Sequence, residues 1–295
     1  MTVVHLPDRA LVAVSGPEAE HFLQNIITTD LDALTEGIAR PGALLSPQGK
    51  ILFDFLISRA GPDAFFLECR SDVADDFIRR LTLYKLRAKV EIAKQDQSFI
   101  SVSWKSESGA SHSESTSSQS DSSSVRDQRF PADSAVERIY GLKPRTTGEE
   151  GEWHDLRVAY GIAESGADYA LGEAFPHDVL LEQLGGVGLR KGCYVGQEVV
   201  SRMQHRGTAR RRVLLVKADG PLPSSGTDIT ANGRSVGTLG TVAGNRGLAI
   251  ARIDRVKDAM DGGIPLLADG LPVELSIPPW ATFTFSEHAA GAEEA

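Results

Sequence analysis

The chain has 295 residues, 41% of them hydrophobic and 24% charged, with a formal net charge of -9. That length is too great for one small core and points to two or three domains of ordinary soluble composition. The negative balance argues against a general nucleic-acid coat, and no apolar stretch approaches the roughly 20 residues that span a bilayer.

Along the chain, Ala10 to Val14 reads as a short buried strand. Ser15-Gly16-Pro17-Glu18 has the chemistry of a capping box, and Phe22, Leu23, Ile26 and Ile27 form the apolar stripe of the helix it would start. Ser46-Pro47-Gln48-Gly49 suits a type I turn between the apolar runs Ala43 to Leu45 and Ile51 to Ile57. Phe65 to Cys69 is another strand. Asp72 is placed to cap a following helix with Val73, Phe77, Leu81 and Tyr84 on its buried face. Phe99 to Trp104 reads as a strand. The Ser-rich stretch from Lys105 to Asp127 lacks the apolar residues needed to offset its ordering entropy, so a disordered and dispensable surface loop is expected there. Gly141 to Gly151 reads as a connection. Asp178 to Leu184 looks helical until Gly185-Gly186-Val187-Gly188 breaks it, and Val199, Val200 and Met203 suggest a helix from about Gly196. Beyond Arg212 the pattern changes to short strands, Val213 to Val216, Val236 to Val242, Leu248 to Ile253 and Val273 to Ile277. Asn232-Gly233 is a hairpin turn signal within this small barrel or sandwich.

Two cysteines, Cys69 and Cys193, form neither a disulfide framework nor a zinc spacing, and no metal is expected. They fit a reducing compartment. The first residues lack the basic and apolar blocks of a signal peptide. A cytoplasmic, monomeric protein without membrane contact is expected. Cys69 sits in an apolar run and reads as core. Cys193 lies between Gly192 and Gly196, two residues after Lys191 and just before a helical pattern. Those are conditions that lower a thiol pKa, although a small cysteine packed at a crowded loop would look the same in sequence. Glu198 and Arg202 are spaced to pair along a helix. Arg202, His205, Arg206, Arg210, Arg211 and Arg212 form a basic run that suits phosphates, an RNA backbone or a polyanionic tail, or a solvated turn. Gly186-x-Gly188 is followed by Lys191 where a dinucleotide fingerprint needs its last glycine, and Gly49-Lys50-Ile51 is no phosphate loop.

The run Lys191-Gly192-Cys193-Tyr194-Val195-Gly196-Gln197-Glu198 resembles the signature of the YgfZ-type folate-binding proteins, relatives of the glycine-cleavage T-protein that include a mitochondrial iron–sulfur assembly factor. Matches at Phe22-Leu23-Gln24, Thr28-Thr29-Asp30, Pro47-Gln48-Gly49-Lys50, Tyr84-Lys85-Leu86-Arg87, Leu184-Gly185-Gly186-Val187 and Arg206-Gly207 extend the resemblance over most of the chain, the Ser-rich stretch excepted. The resemblance implies an α+β, three-domain T-protein-like fold. Its parts would be a discontinuous folate-binding domain at 1–48 and 150–207, an inserted α+β domain at 49–149, a C-terminal β-barrel at 208–287 and a tail at 288–295. It implies tetrahydrofolate or a one-carbon derivative as cofactor. It implies client iron–sulfur proteins as partners, an effect on tRNA modification, and Lys191 and Cys193 as the functional residues. Trp153 and Arg157 match the family's folate cavity, and Arg9 stands where the family usually has a second aromatic. The resemblance leaves open whether the chain itself catalyses a reaction. The alternative is a folate-dependent aminomethyltransferase, but Arg70-Ser71-Asp72-Val73-Ala74-Asp75 lacks the Asn-rich pattern that carries those enzymes' catalytic aspartate.

Overall fold

The computed structural model describes residues 1–96, 99–105, 123–141, 143, 145–207 and 209–285. The chain divides into two compact units, Met1–Trp153 with Leu184–Gln197, and His154–Gln183 with the described part of Glu198–Ala295. The class is α+β, as expected. Among the described residues, no helix is long and apolar enough to cross a membrane.

The first unit is built on a nine-stranded sheet. Its strands are β1 (Thr2–His5), β2 (Arg9–Ser15), β3 (Ile38–Leu45), β4 (Ile51–Gly61), β5 (Ala64–Arg70), β6 (Glu91–Lys94), β7 (Phe99–Trp104), β8 (Ser123–Asp127) and β9 (Glu137–Gly141). They lie in the order β1-β7-β9-β8-β3-β4-β5-β2-β6. Helices α1 (Ala19–Gln24) and α2 (Ala74–Lys85) bury Phe22, Leu23, Phe77 and Leu81 in a core with Val12, Val14, Leu44, Ile57, Phe65 and Leu67. The turn at 46–49 forms as its residues suggest: the Gly49 amide donates to Ser46 O at 2.9 Å. The turn joins the paired strands β3 and β4.

Four local expectations fail in this unit and the next. Ser15 ends β2, the first residue before α1 makes no side-chain cap, and Glu18 instead accepts the Lys89 amide at 2.7 Å. Asp72 does not cap α2; it pairs with Arg70, and a single 3-10 turn over Ser71–Val73 leads into the helix. Ser123–Asp127, assigned from composition to the disordered stretch, is strand β8, with Asp127 fully buried. The rest of that stretch, 106–122, lies outside the described residues. Asp178 to Leu184 is a chain of turns rather than a helix. The Leu180 and Gln183 amides bond three residues back, and Leu180 has φ +58°, which no helix accommodates.

The second unit contains most of α3 (Glu150–Tyr160) and α4 (Gln197–Arg206), then a near-closed antiparallel β-barrel. Its strands are β10 (Arg211–Lys217), β11 (Asp228–Ala231), β12 (Arg234–Ala243), β13 (Arg246–Arg252), β14 (Leu266–Ala268), β15 (Leu271–Pro272) and β16 (Glu274–Ser276), with α5 (Ile253–Asp261) between β13 and β14. Asn232 and Gly233 have φ +48° and +72°, the paired positive values of a tight hairpin turn. Leu214, Val216, Ile229, Leu239, Ala249, Val256 and Leu275 fill the interior. Helix α5 escapes the sequence reading because its apolar positions, Ile253, Val256 and Ala259, continue directly from the apolar strand β13.

Candidate functional site

The signature loop is seated on the first unit's own backbone. Lys191 is 9% exposed, and its ammonium donates to Ile27 O at 2.9 Å and Thr29 O at 2.7 Å. Its Nζ also lies 5.5 Å from the Tyr194 ring centroid. Burial pushes the Lys191 pKa down to about 8, against the opposing pull of Asp30 and Asp32. Thr28 fixes the preceding stretch: its hydroxyl donates to Gly186 O at 2.7 Å, and its carbonyl accepts the Gly188 amide at 2.7 Å. Tyr194 packs inward, and burial pushes its phenol up to about 12.

Gly196 is fixed twice. Its φ is +80°, and a Cβ there would lie 2.6 Å from Ser46 O, so any other residue would be strained and would collide with the β3–β4 turn. Gly192 faces open space, and nothing in the structure demands glycine there. Between them Cys193 is exposed. Helix α4 begins at Gln197, as the pattern suggests, and Glu198 pairs with Arg202 at 2.7 Å on its solvent side. Cys69 is the opposite case: it is buried in the core, and burial pushes its thiol up to about 12.

Arg9 and Trp153 meet in a second cluster of the same unit. Arg9 Nε donates to Glu68 Oε1 at 2.9 Å, and Arg138 Nη1 reaches the same oxygen at 3.1 Å. Tyr140 donates its hydroxyl to Glu68 Oε2 at 3.1 Å. Arg138 Nε and Arg129 Nη2 both bond Asp127 Oδ2. The Arg138 guanidinium lies 4.7 Å from the Trp153 ring centroid, with Phe130 and Trp104 against the same indole. Burial works against the Asp127 charge, but Arg129 and Arg138 prevail and hold its carboxyl below the usual range. Burial and the Glu68 carboxylate raise the Tyr140 phenol well above its ordinary value.

Arg157 belongs to the second unit. Its Nε faces Glu164 at 3.2 Å, Nη1 donates to Ile162 O and Asp168 Oδ2, and Nη2 bonds His154 Nδ1 and Thr241 Oγ1. Four of the five guanidinium N–H donors are thus hydrogen-bonded, while among the described residues Nε makes no hydrogen bond and only faces the Glu164 carboxylate. In the basic run, Arg202, Arg210 and Arg211 are exposed, while Arg212 is 9% exposed and bonds His177 O and Glu182.

Residues 210–283 match the family model described as CAF17, C-terminal beta-barrel domain, and residues 8–103 match the GCVT N-terminal domain. The iron–sulfur cluster assembly factor IBA57, mitochondrial, of Mus musculus is 30% identical over 282 residues, covering 87% of this chain and 79% of the relative. Its Homo sapiens counterpart is 30% identical over 305 residues, covering 93% and 84%. The chain belongs to the IBA57 family of iron–sulfur cluster assembly factors. A crystal structure of the glycine cleavage system aminomethyltransferase T from Bartonella henselae overlays with a TM-score of 0.72 over 95% of this chain and 86% of that one, at 15% identity. The IBA57-family chain therefore has the T-protein-like fold.

For this IBA57-family chain, the three side chains matched to a folate cavity do not fit direct contact with the ligand. Trp153 is 1% exposed, with Arg138, Phe130 and Trp104 against its ring; Arg157 is fully buried with both Nη atoms hydrogen-bonded inside its own unit, and Arg9 is bound to Glu68. A ligand at these groups would have to displace partners they already hold. Sequence reasoning missed the cluster that unites Arg9 with Trp153. One signal was available: Glu68 is the single charge in the apolar run Phe65 to Cys69, and a buried carboxylate demands a cation. Asp127 and Arg129 were hidden by the serine composition that precedes them.

Proposed function

We propose that this chain supports the assembly or repair of iron–sulfur proteins through Cys193, presented to solvent by a signature loop that Lys191 anchors. The observation that carries the reading is the contrast within one octapeptide. Lys191 is buried and bonded to main-chain carbonyls and Tyr194 is buried beside it, while Cys193 between them is exposed. Packing holds the loop in one shape, so the thiol is available without any packing duty of its own. A lone thiol cannot hold an iron–sulfur cluster, which takes several cysteine ligands, so Cys193 would act together with ligands of the client protein.

The test is rescue of a deletion strain, read by the activities of its iron–sulfur enzymes. Wild type should restore them and Cys193→Ser should not, at equal protein level. Full rescue by the serine variant would make the signature architectural and remove the thiol from the reading.

Tetrahydrofolate or a one-carbon derivative is the proposed small-molecule ligand, supported by the match to the GCVT N-terminal domain. Calorimetric titration with tetrahydrofolate tests it directly. Because Arg9, Trp153 and Arg157 are committed internally, they are proposed as scaffold of the folate site rather than its contacting groups. A contact with tRNA is proposed for exposed Arg202, Arg210 and Arg211, and a salt-dependent tRNA shift lost on Arg210→Glu with Arg211→Glu would support it. The aminomethyltransferase reading draws on the fold and on the match to the GCVT N-terminal domain, but its candidate aspartates are engaged elsewhere, Asp72 with Arg70 and Asp75 with Lys94.

A further inference from the structure

We propose that the C-terminal end of α2 is a docking surface for a protein partner that offers an apolar recess ringed by carboxylates. The inference rests on the assembly-factor reading, because that work needs protein clients.

The first observation is a pair of leucines in water. Leu83 is 66% exposed and Leu86 is 87% exposed. The helix turns a different face to the core, with Ala74, Phe77 and Leu81 buried, so neither leucine contributes to that packing. Scattered single leucines on a surface need no account, but two within one turn make a patch.

The second observation is backbone strain at one of them. Leu86 ends the helix with φ +48° and ψ -105°. Helices commonly stop on a residue of positive φ, and that residue is usually glycine or asparagine because a Cβ is disfavoured there. A leucine at this position costs conformational energy. With its side chain in solvent, burial within this chain does not offset that cost. Folding alone would favour glycine at 86, so the leucine side chain has a use outside the chain's own core.

The third observation is charge. Arg80, Arg87 and Lys89 are exposed around the leucines, and among the described residues none of them pairs with a carboxylate. The acidic residues of α2, Asp75 and Asp76, lie in its first turn, at the other end. Basic residues near a helix C-terminus suit the helix dipole, which accounts for some of this charge but for neither leucine. Two leucines are too small an apolar face to seat a helix in a lipid surface, and the rest of the apolar face of α2 is already buried. A second copy of the same basic patch would be repelled. A carboxylate-ringed recess on another protein satisfies both the leucines and the cations.

The test places a photo-crosslinking amino acid at exposed Thr82, beside Leu83, in the complete chain expressed in the deletion strain. The expected result is one adduct with an iron–sulfur protein. Leu83→Ser with Leu86→Gly should reduce it at least about tenfold, the scale of losing an interface anchor. Arg80→Glu with Arg87→Glu should do the same, and added salt should weaken binding of the purified pair. Leu86→Gly alone should keep or raise the melting temperature, because glycine takes the positive φ freely. An adduct indifferent to both double variants would overturn the proposal. So would an adduct with a second copy of this chain, or binding of phosphatidylserine vesicles with no protein adduct. A fall in melting temperature for Leu86→Gly would make the leucine structural and overturn it as well. If wild type fails to rescue the strain while the adduct forms and responds to the variants, the assembly reading is lost and the docking surface stands.

Discussion

Around Glu68, guanidinium meets carboxylate; at the signature loop, an ammonium meets main-chain carbonyls. Both groups of residues are buried in the first unit, yet they do different work. The Glu68 cluster ties β2, β5, β8 and β9 together through side chains from Arg9 to Arg138. It is closed, and Trp153 is sealed behind it. Lys191 instead takes hold of the backbone at Ile27 and Thr29, which fixes the path of a loop and leaves the neighbouring thiol outside. A network that satisfies side chains with side chains makes a rigid block. An anchor that satisfies a side chain with backbone positions a neighbour. The contrast assigns stability to the first region and presentation of Cys193 to the second.

The largest expected effect comes from breaking the closed region. Arg138→Ala removes the cation between Glu68 and Asp127, leaving two buried carboxylates short of a partner. Breaking a buried pair from one side costs about 3–5 kcal/mol, and urea unfolding should show a loss of that size. The cluster also sets an acid limit. The Asp127 pKa is lowered in the folded chain, so its stabilising contribution is present above the unfolded carboxylate pKa. It is lost as pH falls through the folded value. Arg138→Ala should weaken this dependence, measured as the flattening of stability against pH on the acid side.

The second effect concerns the chain that joins β7 to β8. Both strands pair antiparallel with β9, so they run parallel, one on each side of it. Ile100 and Ser123 sit level with Tyr140, while β7 ends four residues on at Trp104. A connection must therefore return about 13 Å along the strands and cross about 10 Å of intervening sheet. A two-residue Gly-Ser turn in place of 106–122 cannot reach, and it should pull Asp127 out of the cluster and lower the melting temperature sharply. A Gly-Ser linker of about a dozen residues should be tolerated, because loop closure costs little more as length grows. Equal stability of the two variants would show that β8 is dispensable and that the cluster is not closed.

Much of this was legible in the sequence where a residue acts through its neighbours along the chain. The turn at 46–49, the Asn232-Gly233 hairpin, the start of α4 and the pairing of Glu198 with Arg202 are all local, and all are present. What was hidden depends on partners far apart. Glu68 and Arg138 are 70 residues apart, and no spacing announces their bond. Asp127 reads as the end of a polar stretch until β9 and β3 are seen beside it. Arg157 looks like a free cation in sequence because its partners, Asp168 and Thr241, come later in the chain. The signature could be recognised from its residues, but the inward turn of Lys191 could not. Its two acceptors are carbonyls, and sequence does not show where a carbonyl points.

A smaller effect tests the anchor. Lys191 has a folded pKa of about 8, below the ordinary lysine value of 10.5. Between those values the unfolded chain binds more protons than the folded one, so this group makes stability rise with pH across that window. Below about 8 the buried charge is a standing penalty. The neutral amine formed above it still has hydrogens for both carbonyls. Lys191→Met removes the titration, so the stability of wild type relative to this variant should rise from pH 8 to pH 10.5. A difference that stays level across the window would show that the Lys191 ammonium is not buried at all.

The smallest effect on stability belongs to Cys193, and it decides what the comparison means. The thiol is exposed, and the loop around it is held by Lys191, Tyr194 and Gly196. Serine matches its size and leaves those contacts alone, so Cys193→Ser should change unfolding free energy by no more than about 0.5 kcal/mol, as for other exposed positions. Cys69→Ser is the matched control. Its side chain is in the core, and an unpaired buried hydroxyl costs about 1–3 kcal/mol, so the same chemical change should be felt there. Rescue of iron–sulfur enzyme activity should follow the reverse order, retained in part by the destabilised Cys69→Ser and lost in the stable Cys193→Ser. If the two variants instead lose rescue in proportion to their loss of stability, folding alone explains the phenotype. Presentation of the Cys193 thiol would then be a by-product of the loop's shape rather than its purpose.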